Sequence, residues 1–117
     1  MISQGEAMRL LQRALDYQGV YTLDDVAHAV QTGESVLWPG ERSVMVTDFE
    51  GPRNEEGRIW LAGGDMTELV SEIRPRAEAF ARSNGAQGMN IIGRPGWARV
   101  LAKEGYGQVA VVLRKIL

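Results

Sequence analysis

Apolar positions along the chain follow a helical period first and a strand period afterwards. Ala7, Leu11, Ala14 and Leu15, extended by Gln18, recur at helical spacing behind Ser3 and Glu6. Ser or Thr three residues before Glu caps a helix reciprocally, so the spacing predicts a helix ending near Gly19. Thr22 and Asp25 form a second such pair ahead of Leu23, Val26, Ala27 and Val30, and this second helix stops at Gly33. From Val36 the pattern changes. Val36-Leu37-Trp38, a Pro39-Gly40 turn, and Ser43 to Phe49 read as two strands rich in β-branched and apolar residues. A turn over 51–57 leads into a third strand, Arg58 to Ala62, which gives a three-stranded antiparallel meander.

Behind Gly63-Gly64, Asp65 and Glu68 make a third capping pair. Met66, Leu69, Val70, Ile73, Ala77, Phe80 and Ala81 continue an amphipathic stripe to Asn84-Gly85. Pro75 lacks a backbone donor and is expected to kink or restart that helix. Met89 to Ile92 reads as a strand, Gly96 to Glu104 as a short helix, and Tyr106 to Leu113, or as far as Leu117, as a closing strand. The order α-α-β-β-β-α-β-α-β predicts an α+β (mixed α/β) fold, one sheet with helices on both faces.

Length and composition narrow this further. The 117 residues make a single domain, 1–117, with no internal repeat or linker. Thirteen Lys and Arg against fifteen Asp and Glu leave a net charge of −2, too balanced for a polyphosphate-binding arm or a polybasic membrane anchor. With no cysteine and one histidine, disulfides, thiolate catalysis and Cys- or His-rich metal sites are excluded, and no metal is expected. The N-terminal residues lack the basic and apolar regions of a signal peptide, and the longest apolar run, Val109 to Leu113, is too short to cross a bilayer. The expectation is a soluble, non-secreted protein of a cytoplasm or a particle, without membrane contact.

Three segments carry a resemblance. They are Thr22-Leu23-Asp24-Asp25-Val26, Leu37-Trp38-Pro39-Gly40-Glu41-Arg42-Ser43, and Gly93-Arg94-Pro95-Gly96-Trp97 with Gly105-Tyr106. Together with the element order, the chain resembles the GNAT (Gcn5-related N-acetyltransferase) fold without its first strand. More specifically, it is similar to short, degenerate GNAT-like proteins of tailed phages and prophages. That resemblance implies a phage or bacterial-host setting, virion or cytoplasm, with other phage proteins or a second copy as partners.

Active members of the family hold the pyrophosphate of coenzyme A on backbone N–H groups at a helix N-terminus. The matching junction here is Gly63-Gly64-Asp65-Met66. It keeps two glycines but lacks the family's spacing and its preceding basic residue. An aspartate cap competes for the same N–H groups, so coenzyme A is expected to meet negative charge from Asp65 and Glu68. The tyrosine that protonates the leaving thiolate in many members falls on Leu101, and the asparagine often found seven residues before it falls on Arg94. Tyr106 fills the aromatic position of the Gly-aromatic step and is expected to pack.

Other residues offer weaker chemistry. Asp48 and Glu50 share one face of a strand, where paired carboxylates could take a proton from an amine, although a solvated edge explains them as simply. His28 sits just off an apolar stripe with no titratable partner at useful spacing, and nothing positions Ser35 or Ser43 with it as a triad. Trp60 reads as core or sheet face, whereas Trp38 and Trp97, beside Pro-Gly turns, are interface candidates. Arg94, Arg99, Lys103, Arg114 and Lys115 against Glu104 alone give the last 24 residues a charge of +4, leaving −6 on the first 93. Arg94, Arg99, Arg114 and Lys115 are therefore interface candidates as well.

Three readings follow. The first is a non-catalytic GNAT-like module of phage origin, a virion or assembly component that works through protein contacts and needs no cofactor. The alternative is an acetyl-CoA-dependent N-acetyltransferase with a non-standard cofactor loop, using Gly63, Gly64, Asp65 and Met66 for the cofactor and Asp48 or Glu50 for the amine proton. The third is a particle protein that contacts DNA through the basic end.

Overall fold

A computed structural model describes all 117 residues. Helix α1 spans Gln4–Gln18 and α2 spans Leu23–Thr32. Ser3 caps α1 by accepting the Glu6 N–H, Thr22 and Asp25 cap α2 reciprocally, and the helices close on Gly19 and Gly33, as the spacing predicts. Strands β1 (Val36–Pro39), β2 (Ser43–Glu50) and β3 (Glu56–Gly64) form the antiparallel meander. Strand β4 (Gly88–Ile91) joins β3 in parallel, so the four-stranded sheet runs β1-β2-β3-β4.

Helices cover both faces of the sheet. On one side Leu11, Leu15 and Val26 pack on Val44, Val46 and Leu61; on the other, Leu69, Ile73 and Ala77 pack on Met45 and Ile59. Ile59 and Leu61 are two residues apart, yet they reach opposite faces. The register slips between Val46 and Thr47, whose partners are Leu61 and Ile59, so Trp60 is the extra residue of a β-bulge that reverses the alternation.

The helix behind β3 is composite. Met66–Glu68 (α3) runs through a π-helical turn, Leu69–Ile73, into Arg74–Ser83 (α4). The wide turn lets Arg74 N–H reach the Leu69 carbonyl, and Pro75 falls in the first turn of α4, where a missing N–H costs least. The expected kink is thus absorbed by a change of helix type. Helix α5 spans Pro95–Ala102, two residues shorter at its end than the sequence pattern suggests.

The closing strand is the main departure. Residues 107–117 have no regular structure and are exposed throughout. Apolar, β-branched sequence does not make a strand without a partner ladder, and this segment pairs with no strand of its own chain. Tyr106, by contrast, packs as expected: its hydroxyl donates to Glu78 at 2.6 Å, while Arg74 binds both Glu78 and Glu104. That network pins the end of α5 to α4. No helix is long and apolar enough to cross a membrane.

Candidate functional site

Strands β3 and β4 pair only from Glu56 to Ile59 against Gly88 to Ile91. Beyond Ile59, β3 keeps β2 on one side as far as Gly64 but has no strand on the other, and the gap there opens into a cleft of about 350 Å³. One wall is β3 from Ile59 to Gly64; the other is Ile91 to Arg94 with Gly96 and Trp97 at the start of α5. Met66 and Leu69 line it as well, and α1 contributes Leu10, Arg13, Ala14, Tyr17 and Gln18.

Close packing sets these walls. A Cβ on Gly63 would lie 3.1 Å from Leu10, so the bare glycine lets α1 rest closely on β3. Gly64 turns the strand at φ +119, and a Cβ there would collide with the Arg42 carbonyl and stand 2.6 Å from Ser43 Cα. Ser43 completes the junction: its hydroxyl accepts the Asp65 N–H at 2.9 Å and donates to the Asp65 carbonyl at 3.2 Å. That hydroxyl is consumed by structure and is no nucleophile. His28 lies exposed on α2.

Polar groups in the cleft are few and of one sign. Arg13 and Arg94 line it, no carboxylate does, and the Arg94 guanidinium lies 4.6 Å from the centre of the Tyr17 ring. The Trp60 carbonyl, left without a strand partner, accepts from the Gln18 side-chain amide at 3.0 Å. Trp60 also lines the cleft, and its indole Nε1 is the one buried side-chain polar atom without a hydrogen bond.

Asp65 caps the composite helix, as its position predicts, by accepting the Glu68 N–H at 2.9 Å. That hydrogen bond holds its carboxyl below the usual aspartate range, with Arg42 at 3.4 Å adding to the effect. The acidic obstacle expected at the cofactor loop is nevertheless smaller than the sequence implies. Asp65 shares its charge with Arg42 outside the cleft, and Glu68 turns away altogether. Glu68 is 2% exposed and accepts the Glu41 and Arg42 N–H groups at 2.8 and 2.9 Å, fastening the turn between β1 and β2. Burial pushes its carboxyl up, but the polar surroundings, the nearby Ser43 hydroxyl, the Arg42 and Glu41 N–H groups and the Arg42 charge, prevail and hold it below the usual glutamate range. The reciprocal half of the third capping pair is therefore not made, because the Asp65 N–H is already taken by Ser43.

The remaining candidates scatter. Asp48 is ion-paired to Arg58 through both carboxylate oxygens, and Glu50 is exposed at the end of β2; neither lines the cleft. The Asp48 hydrogen bond raises the Arg58 guanidinium further above its ordinary value. Trp38 is half-buried, donates its indole N–H to Thr47 at 2.9 Å and meets Phe80 edge-on at 5.7 Å, which makes it a packing residue. Trp97 and Arg94 belong to the cleft, whereas Arg99, Arg114 and Lys115 are exposed outside it. Leu101 is buried. Sequence reasoning missed Arg13, Tyr17 and Gln18, although their spacing with Leu10 and Ala14 marks a second helical stripe on α1.

Comparison with known structures places this architecture. A Trypanosoma brucei acetyltransferase aligns over 99% of this chain and 96% of its own at 11% identity, with a TM-score of 0.62. An aminoglycoside acetyltransferase from an uncultured soil metagenomic sample, solved with trehalose, aligns over 92% and 86% at 9% identity, with a TM-score of 0.61. The fold is the GNAT fold. A probable acetyltransferase matches this GNAT-like chain at 12% identity over 92% of it and 85% of the other, with a TM-score of 0.59. No family model and no curated sequence matches the chain.

Proposed function

We propose that the protein is an acyl-CoA-dependent N-acyltransferase whose acyl donor lies in the cleft between β3 and β4. The observation that carries this reading is the splay of the two strands, which leaves the β4-facing side of β3 beyond Ile59 without a strand partner along a slot lined by apolar side chains and two guanidinium groups. An unpaired strand edge offers N–H and C=O groups to a peptide-like arm such as pantetheine. Arg13 and Arg94 supply positive charge for phosphate, which compensates for the basic residue missing before Gly63. Acyl-CoA supplies an activated thioester, the acyl group to be transferred.

The residues of the chain do three things in this reading. The β3 backbone and the unpartnered Trp60 indole N–H give donors to a polarised carbonyl. Arg13 and Arg94 disfavour a neighbouring ammonium, so an amine enters the cleft in its neutral, nucleophilic form and gives its remaining proton to solvent. No protein acid serves the departing thiolate: Leu101 occupies the usual position, and the Tyr106 proton is committed to Glu78. Burial and that hydrogen bond push the Tyr106 phenol above its ordinary range. A thiol ionises at about pH 8.5, so water can reprotonate it after release.

Indole signals in a proton–nitrogen spectrum test the cofactor assignment. Coenzyme A is expected to move the Trp60 and Trp97 signals and to leave Trp38, tied to Thr47 outside the cleft, in place. Thiol release from acetyl-CoA with a panel of amines then tests turnover. Binding at the cleft without transfer to any amine would move the assignment to a second reading, a GNAT-like module without catalysis that acts through protein contacts, for instance as a virion or assembly component. Leu101 and the Asp65 cap favour that reading.

A further inference from the structure

Apart from Arg13 and Arg94 the cleft holds no charged group, and several of its apolar side chains stand open to solvent. Tyr17 is 58% exposed and Ile92 67%, and Trp60 lines the cleft with them. Tyr21 meets the Trp60 ring edge-on at 5.3 Å and carries the aromatic surface on to the turn between α1 and α2. Open apolar surface beside fixed cations suits a small molecule that is itself part apolar and part anionic.

The two arginines are not equivalent. Arg94 rests its guanidinium on the Tyr17 ring, which ties the start of α5 to α1. Arg13 lies one helical turn before Tyr17 on the same face of α1, and its guanidinium has no hydrogen bond, ion pair or ring contact within the chain. Arg9, Arg42, Arg58 and Arg74, by contrast, all bind carboxylates. Arg13 thus adds to the field felt by phosphate while its own N–H donors stay unspent, and a guanidinium fork matches a carboxylate best.

The same surroundings disfavour a second ammonium. Asp48 is committed to Arg58, which lies over the Trp60 ring at 5.8 Å, and Asp16 on α1 accepts the Gln12 amide at 2.8 Å. A polyamine or aminosugar would bring further positive charge to two guanidinium groups with no carboxylate in the cleft to pair it.

We infer that the acyl acceptor is an apolar amino acid, its carboxylate held by Arg13 and its side chain laid against Tyr17, Trp60 and Ile92. The inference deepens the acyltransferase reading and rests on it for the reaction. The amine nitrogen forms a C–N bond to the acyl carbon as the C–S bond of the thioester breaks. One amine proton passes to solvent and the thiolate takes one from water, so the products are an N-acyl amino acid and coenzyme A. Arg13 touches the carboxylate and not the reacting atoms, so it sets specificity.

Two readouts keep recognition and transfer apart. In the first, N-acetylphenylalanine and N-acetylphenethylamine, which differ only in the carboxylate, are titrated with and without coenzyme A while the Trp60 indole signal is followed. The acid is expected to bind about 10–100-fold more tightly, the range one charged hydrogen-bonded pair supports. Arg13→Ala is expected to bring that ratio close to one, and Arg13→Lys, which keeps the charge without the fork, to retain part of it. In the second, thiol release from acetyl-CoA is measured with phenylalanine, leucine, their amides, phenethylamine and spermidine. The free acids are expected to show the highest kcat/KM, and Arg13→Ala to remove that advantage. Equal or better binding of N-acetylphenethylamine, a preference for the amides or spermidine, or a carboxylate preference that survives Arg13→Ala would overturn the inference. Carboxylate-selective binding without transfer to any amine would overturn the acyltransferase reading instead and leave the recognition by Arg13 standing.

Discussion

At the scale of single residues, several positions that look chemical in the sequence turn out to hold the chain together, and part of the cleft is built from residues of α1 that look ordinary. Glu68 is the clearest case. Its carboxylate satisfies two N–H groups of the β1–β2 turn in a buried setting, so Glu68→Gln, which can accept only one of them well, is expected to cost about 1–3 kcal/mol of stability. Because its folded carboxyl binds a proton less readily than the unfolded one, its contribution is complete above the ordinary glutamate range and is lost as pH falls through the lower folded value. Urea midpoints measured from neutral pH into the acid range are expected to fall more gently for Glu68→Gln than for the parent. Tyr106→Phe removes one hydrogen bond to a carboxylate that Arg74 still holds. It is expected to cost about 1 kcal/mol and to leave thiol release unchanged. A loss of turnover without loss of folding would make Tyr106 the acid it is argued not to be.

At the scale of elements, whatever is encoded locally was legible, and whatever depends on a distant neighbour was not. The caps at Ser3, Thr22 and Asp65 and the meander follow from side chains within a few residues of one another. The bulge at Trp60 has no local signature, because it arises from the register that β2 and β3 adopt together. The π-helical turn answers Pro75 but lies before it, and several helical arrangements fit the same apolar stripe. The segment after Tyr106 reads as a strand because propensity reports what a residue fits, not whether a ladder is there to receive it. For the site, Gly63, Gly64 and Met66 are visible from the resemblance and Arg94 and Trp97 stand out in the sequence as interface candidates, whereas Arg13, Tyr17 and Gln18 enter only through the packing of α1 on β3. That packing has its own test. Gly64→Ala forces a side chain into left-handed backbone against β2, and a loss on the order of 1–3 kcal/mol in thermal or urea unfolding is expected.

At the scale of the whole molecule, two apolar layers on a four-stranded sheet leave one gap, where β3 and β4 part, and α1, α3 and α5 all border it. The gap collects both cleft arginines and excludes every carboxylate, in a chain whose overall charge is −2. In the proposed reading, that separation of charge suits the gap in strand pairing to an anionic, peptide-like donor. Calorimetric titration with coenzyme A and acetyl-CoA, on the intact chain, Asp65→Asn and Arg94→Ala, tests this most directly. The account predicts saturable binding to the intact chain, tighter binding to Asp65→Asn, whose amide still caps the helix without its charge, and weaker binding to Arg94→Ala, altered at an exposed position. Absence of binding to both the intact chain and Asp65→Asn would contradict it and leave a GNAT fold whose cleft holds no acyl donor.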